Sequence, residues 1–138
     1  MKRILVDTGP LVAILSRTDE YHGICVNALR SLPSPLLTCW PVITEAAWLL
    51  RGSPLAVQQL LGSIGGGFLE LLPLEGTEAK AIAAFMMRYE TIVPQLADAA
   101  LVYLANREHL DTIFTLDRRD FSVYRIGKRA FHIIPETG

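Results

Sequence analysis

The chain has 138 residues, half of them hydrophobic, and its 13 basic and 14 acidic side chains give a formal net charge of −1. That length fits one domain over residues 1–138, burying roughly two thirds of its unfolded surface. The near-neutral balance removes the global electrostatic signature of a nucleic-acid binder, and no apolar run reaches the roughly 20 residues of a membrane span.

The opening Met1-Lys2-Arg3 leads into a strand pattern rather than a signal-peptide core. Residues 2–6 read as a buried strand, closed by Asp7-Thr8-Gly9-Pro10. Pro10 suits the first turn of a helix that runs to Leu15. A second helix is expected over 19–32, with Asp19 as its cap. Pro33 and Pro35 end it, and 36–39 is a short strand. Pro41 opens a helix carrying Glu45 that breaks at Arg51-Gly52. Ser53-Pro54 opens another, closed by Gly65-Gly66-Gly67. That triplet reads as a turn and not a phosphate loop, because no strand precedes it and no Lys-Ser/Thr follows. Residues 68–72 form a third strand, and a helix over 77–89 takes Thr77 as its cap. Pro94 separates this helix from one that holds Asp98 and ends near His109. Residues 112–116 and 131–134 are the fourth and fifth strands. Strands alternate with helices, so the fold class is α/β with a mostly parallel sheet. The high apolar content fits strands buried on both faces, or a surface covered by a partner.

Four acids stand in apolar surroundings: Asp7 after Arg3-Ile4-Leu5-Val6, Glu45 before Ala46-Ala47-Trp48, Asp98 inside Leu96-Ala97 and Ala99-Ala100-Leu101, and Asp117 after Ile113-Phe114-Thr115-Leu116. An unpaired carboxylate in such a setting costs several kcal/mol. No Lys or Arg adjoins Asp7, Glu45 or Asp98 in sequence, which makes a cation the natural partner. In an open parallel sheet, functional groups gather beyond the C-terminal ends of the strands, where Asp7 and Asp117 both fall. Two carboxylates about 5 Å apart repel by roughly 3 kcal/mol at an effective dielectric near 20. Hard oxygen ligands of this kind suit Mg²⁺ or Mn²⁺, which can polarise a phosphate. Each acid also has an ordinary structural role open to it. Asp7 can cap the helix that follows it, where its charge meets the helix dipole, Asp98 can sit in a first turn with no further role, Glu45 can face solvent on an amphipathic helix, and Asp117 can be a turn residue or pair with Arg118 or Arg119. The cluster Arg118, Arg119, Arg125, Lys128 and Arg129 reads either as a solvated surface or as phosphate steering. Cys25 and Cys39 lack metal-binding spacing and read as reduced, buried thiols, and the scattered His22, His109 and His132 make a zinc site a poor fit.

Asp7-Thr8-Gly9-Pro10-Leu11-Val12-Ala13 resembles the opening motif of PIN-domain nucleases. Glu45, then Asp98-Ala99-Ala100-Leu101-Val102, then Thr115-Leu116-Asp117-Arg118-Arg119-Asp120-Phe121 follow in that family's order, over nearly the whole chain. The resemblance implies a PIN-like α/β fold, with a five-stranded, mostly parallel sheet in the order 3-2-1-4-5 flanked by helices. It also implies an endoribonuclease dependent on Mg²⁺, with Mn²⁺ as a substitute. Carried over by position, Asp7, Glu45, Asp98 and Asp117 are the catalytic acids, with Asp7, Asp98 and Asp117 as metal ligands. Thr8, Thr115 and Asp120 support them, and Arg118 and Arg119 are candidates for RNA backbone contacts. A compact chain of this type is similar to the VapC toxins of type II toxin–antitoxin pairs. That likeness implies an RNA substrate, a VapB-like antitoxin over an apolar groove, a homodimer and a cytoplasmic location. Trp48, Leu49, Leu55 and Leu60 fit such a covered surface, and fit an ordinary core equally well.

Other readings stay open. One is a housekeeping RNA-processing nuclease without an antitoxin, and another is a PIN-like interaction module whose acids serve only structure. A phosphatase of the haloacid-dehalogenase type also uses strand-end aspartates, but it wants a second Asp two residues after Asp7, and position 9 is Gly.

Overall fold

The computed structural model describes residues 2–136. In chain order the elements are β1 (Leu5–Val6), α1 (Thr8–Leu15), α2 (His22–Leu29), β2 (Leu36–Thr38), α3 (Trp40–Leu49), α4 (Pro54–Gly65), β3 (Leu69–Leu71), a 3-10 turn at Gly76–Glu78, α5 (Ala79–Arg88), α6 (Leu96–Glu108), β4 (Thr112–Phe114), α7 (Arg118–Phe121), β5 (Arg125–Ile126), β6 (Arg129–Ala130) and β7 (His132–Ile134). Five strands form one parallel sheet in the order β3-β2-β1-β4-β7. This is the expected 3-2-1-4-5 arrangement, with β7 as the fifth strand. The three central strands are buried along their whole length. That burial explains their unbroken apolar character, since a parallel sheet covered on both faces has no wet side to alternate toward.

One helix lies at the heart of the molecule. Ala99, Ala100, Leu101, Val102, Leu104 and Ala105 of α6 have no exposed surface, and a helix apolar all round is a core helix. Its alanines let it approach α3 and α5 closely. Asp98 is therefore a lone charge in the first turns of a helix that otherwise belongs to the core.

Local boundaries differ from the sequence reading where side chains compete for backbone donors. The second helix begins at His22 and not at Asp19, because the Asp19 carboxylate accepts from the Tyr21 N–H at 2.8 Å and forms a tight turn ahead of the helix. Thr77 does not cap the fifth helix. Glu75 and Glu78 form a reciprocal capping box around the 3-10 turn instead, and α5 starts at Ala79. The β5–β6 hairpin was not anticipated. It turns at Gly127, which sits at a φ of 60°, and Asn106 of α6 anchors it by donating to the Arg125 carbonyl at 3.2 Å and accepting from the Gly127 N–H at 2.7 Å.

Two apolar surfaces remain outside the core. Trp40, Trp48, Leu49 and Leu96 are more than half exposed, on and beside α3. A separate apolar cavity of about 310 Å³ opens between α1, α2 and α4, lined by residues that include Ile14, Leu29, Leu32, Leu60 and Phe68. Of the four apolar residues expected on a covered surface, Trp48, Leu49 and Leu55 are exposed, whereas Leu60 is fully buried and belongs to the core. Among the described residues no helix is long and apolar enough to cross a membrane.

Candidate acidic active site

The turn that follows each central strand delivers an acid to the same edge of the sheet. Asp7 directly follows β1, and Asp117 lies three residues beyond β4. Glu45 sits in the second turn of α3, which starts two residues after β2, and Asp98 sits in the first turn of α6. These four, together with Asp120, line one open cleft of about 550 Å³ that has no basic side chain in its walls. Leu49, Val93, Gln95 and Leu116 complete its rim.

Hydrogen bonds from the protein set the orientation of three of the acids. Asp7 is buried; its Oδ1 accepts from the Thr8 N–H at 2.8 Å, and its Oδ2 accepts from the Thr115 hydroxyl at 2.8 Å. The same Thr115 oxygen accepts from the Asp117 N–H at 3.0 Å, so one side chain joins the ends of β1 and β4. Thr8 donates to Glu45 Oε1 at 2.7 Å. Asp117 caps α7, accepting from the Asp120 N–H at 3.1 Å. The capping role open to Asp7 is therefore real, Asp117 proves to be a cap as well, and capping is what aims both carboxylates. Gly9 permits the crossing of these segments, because a Cβ placed there would lie 3.3 Å from Leu116 Cβ.

The grouping of oxygens differs in one respect from the expected ligand set. One carboxylate oxygen each from Asp98, Asp117 and Asp120 can lie within 4.8 Å of one another. Asp120, expected only in support, is thus as central as Asp117, to which it is related by three residues along one helical turn. Asp7 stands beside this trio with both oxygens already engaged. Each of those oxygens retains a second lone pair. Val93 and Gln95 on the rim carried no signal in the sequence. Val93 occupies the left-handed region at a φ of 56°, an unusual conformation for a β-branched residue.

Crowded carboxylates in a cleft whose walls carry no basic side chain resist ionisation. Burial, opposed in part by the Thr8 and Thr115 hydrogen bonds and reinforced by the Glu45 and Asp117 charges, pushes Asp7 up to about 6. Burial and then the charges of Asp7, Asp117, Glu45 and Asp120 push Asp98 up to about 7. Burial and Asp117 raise Asp120 as well. An all-oxygen donor set carrying unmet negative charge fits a hard divalent cation.

The basic residues that cluster in sequence separate in space. Arg118 donates to the Pro135 carbonyl. Arg125 donates to the Ser122, Val123 and Tyr124 carbonyls just beyond α7. Arg129 pairs at 3.5 Å with Asp111, which precedes β4 and so lies at the opposite edge of the sheet from the acids. Arg119 is exposed and directly precedes Asp120, whose carboxyl its charge acts to lower.

The raised acids give the metal-free protein a defined pH dependence. Their folded pKa values exceed the unfolded one, so the stability they contribute is complete below about pH 4 and is lost as pH rises through about 6 for Asp7 and about 7 for Asp98. For buried Asp7 the loss is on the order of 3 kcal/mol. Thermal unfolding without divalent cations should therefore show Tm rising as the buffer is taken from about pH 8 to about pH 5. Asp7→Asn and Asp98→Asn should each flatten that rise and raise Tm near neutrality. Equal slopes in all three proteins would mean that the acids are not its source.

Comparison with known proteins agrees with this fold. The family model described as PIN domain matches residues 4–127. Ribonuclease VapC26 of Mycobacterium tuberculosis is 32% identical over 135 residues, which is 96% of this chain and 100% of that protein. The crystal structure of Mycobacterium tuberculosis VapC20, described as a sarcin-ricin loop cleaving toxin, shares the fold with a TM-score of 0.73 at 16% identity, over 80% of this chain and 86% of that one. The strand order, the acids on one sheet edge and these matches lead to one conclusion: the chain belongs to the PIN-domain family.

Proposed function

We propose that this protein is an endoribonuclease dependent on Mg²⁺ or Mn²⁺, and that it is the toxin of a VapBC-type toxin–antitoxin pair. The observation that carries the reading is the convergence of Asp7, Glu45, Asp98, Asp117 and Asp120 on one cleft without a basic side chain, in a chain similar to VapC26. Asp7, Asp98 and Asp117 are the proposed metal ligands, with Asp120 close enough to join them. A bound divalent cation supplies positive charge that offsets the repulsion among the acids and polarises the scissile phosphate. Thr115 holds Asp7 against Asp117, and Thr8 fixes one oxygen of Glu45. The other oxygen of Glu45 is assigned as the acceptor of the attacking water's proton. Water adds to phosphorus in line, the bond to the departing 3′ oxygen breaks, and that oxygen takes up a proton from solvent as Glu45 returns its own. The products are a 3′-hydroxyl and a 5′-phosphate. Asp7→Asn and Asp98→Asn should each lower cleavage of a labelled RNA by at least about a hundred-fold, with circular dichroism unchanged. Persistent cleavage in both variants would place the chemistry elsewhere. In the same assay, the product of a small adjacent reading frame should suppress the wild-type enzyme, its apolar helix seated in the cavity between α1, α2 and α4.

Arg119 is the principal candidate for a contact with the RNA backbone. Arg118 is secondary because its guanidinium already serves the Pro135 carbonyl. Arg119→Ala should weaken RNA binding to a cleavage-dead variant and reduce the slope of log affinity against log salt by roughly 1. Arg118→Ala should change it less. A slope unaltered by Arg119→Ala returns that residue to an ordinary solvated role.

The exposed face of α3 is the proposed seat for a second copy of the chain. Trp40 and Trp48 lie on one side of the helix and share a groove with Leu96, an apolar grouping of the kind that marks an interface. Light scattering should give a dimer mass for the wild type and a monomer mass for Trp48→Glu. A monomeric wild type at tens of micromolar would contradict this assignment.

A further inference from the structure

The lining of the acidic cleft changes character from the inside outward. Its five acids are buried or half-buried, whereas Leu49, Val93 and Gln95 on the rim are exposed. The fourth rim residue, Leu116, is apolar like Leu49 and Val93. Gln95 therefore carries the rim's only side-chain hydrogen-bonding groups. Thr8, the other uncharged polar side chain of the cleft, is already committed to Glu45.

The amide of Gln95 is uncommitted. Gln95 occupies the N-cap of α6, and its carbonyl accepts from the Ala99 N–H at 3.0 Å, which fixes its backbone. Its side chain makes no capping bond, and among the described residues no other hydrogen bond engages it. Two residues earlier, Val93 holds a φ of 56° while 78% of its surface is exposed. A β-branched residue is strained in that region, and a residue that precedes proline ordinarily adopts an extended backbone. Burial in the core does not compensate Val93, although Pro94 beside it is buried. A strained residue and a free amide thus fall within three positions of one another on the rim of one cleft. Strain of this kind gathers at ligand sites, and departures from local sequence rules are expected there.

We propose that Gln95 is a specificity-determining residue: its amide reads the edge of an RNA base next to the scissile phosphate, with Val93 and Leu49 as that base's apolar surroundings. The inference rests on the ribonuclease reading above. In that reading the phosphate is drawn to the cation held by the acids, and the bases attached on either side project outward toward the rim. A carboxamide offers a donor beside an acceptor, the pattern carried by the hydrogen-bonding edges of unstacked bases. A phosphate, which only accepts, would use half of it. Gln95 also borders the tryptophan groove, so in the proposed dimer it marks the line between the interface and the cleft.

Gln95→Leu nearly preserves the size of the side chain and removes both its donor and its acceptor. An RNA pool randomised over the cleaved segment, digested with Mn²⁺ and sequenced at the cut ends, reports the base preference at each position around the bond. The wild type should favour one base about ten-fold or more at a nucleotide adjoining the cut. Gln95→Leu should lose that preference and leave those at other positions as they were. Its metal-free Tm and its Mn²⁺ affinity by calorimetry should equal those of the wild type, which separates lost base reading from a disturbed cleft. A preference that survives Gln95→Leu, a uniform fall in cleavage at every sequence, or a wild type without preference at either adjoining nucleotide overturns the proposal and leaves the ribonuclease reading intact. A wild type that binds Mn²⁺ but cleaves no RNA in the pool sinks that reading, and this inference with it.

Discussion

Mutual repulsion among carboxylates shapes the sheet edge where β1, β4, α3 and α6 meet, and much of the local architecture consists of what withstands it. Thr115 is the central device. Its hydroxyl donates to Asp7 and accepts from the Asp117 N–H, joining two strand ends that their charges would drive apart. Thr8 does the same for Glu45, and the backbone N–H groups that open α1 and α7 meet Asp7 and Asp117. Asp98 gains from its place at the positive end of a 13-residue helix. These interactions reduce the electrostatic cost without removing it, as the elevated Asp7 and Asp98 show. An edge so held has Asp7, Glu45 and Asp117 oriented in advance, as the proposed cation site requires.

Much of this was legible in the sequence, for reasons specific to the fold. A parallel sheet buried on both faces writes its strands as short apolar runs, and it confines polar residues to the turns at the strand ends. Asp7 and Asp117 could therefore be assigned to one edge without any coordinates. Asp98 was legible because it interrupts an otherwise apolar helix. What could not be read was partnership across the sheet. Nothing in the order of residues says that Thr115 reaches Asp7, 108 positions away, or that Asp120 approaches Asp98. The helix starts at 19 and 77 were misplaced for a related reason. Asp19 and Thr77 look like caps by residue type, but the backbone donors went to an aspartate turn in one case and to a glutamate pair in the other.

The basic segment shows how sequence proximity misleads in a chain that turns often. Five cations within a dozen residues suggest one electropositive surface. The short helix α7 and the β5–β6 hairpin distribute them over different directions, and three are taken up by carbonyls or by Asp111. These arginines act largely as structural donors that satisfy the ends of short elements. Under the proposed ribonuclease reading, attraction of phosphate to the cleft falls mainly to the bound cation, with Arg119 as the protein's own contribution.

The close approach of Gly9 to Leu116 has a consequence for what chemistry this sheet edge can acquire. Strand-end aspartates serve several enzyme classes, and a change at position 9 to a second aspartate is the step that would bring this edge nearer to phosphatase chemistry. A Cβ at that position would press on Leu116 at 3.3 Å, directly beside Asp117. Leu116 would have to give by a few tenths of an ångström to admit the new side chain. Packing of the first turn of α1 against Leu116 thus opposes a mutational route between enzyme classes, and it favours an aspartate pair contributed by neighbouring strands rather than by a single turn.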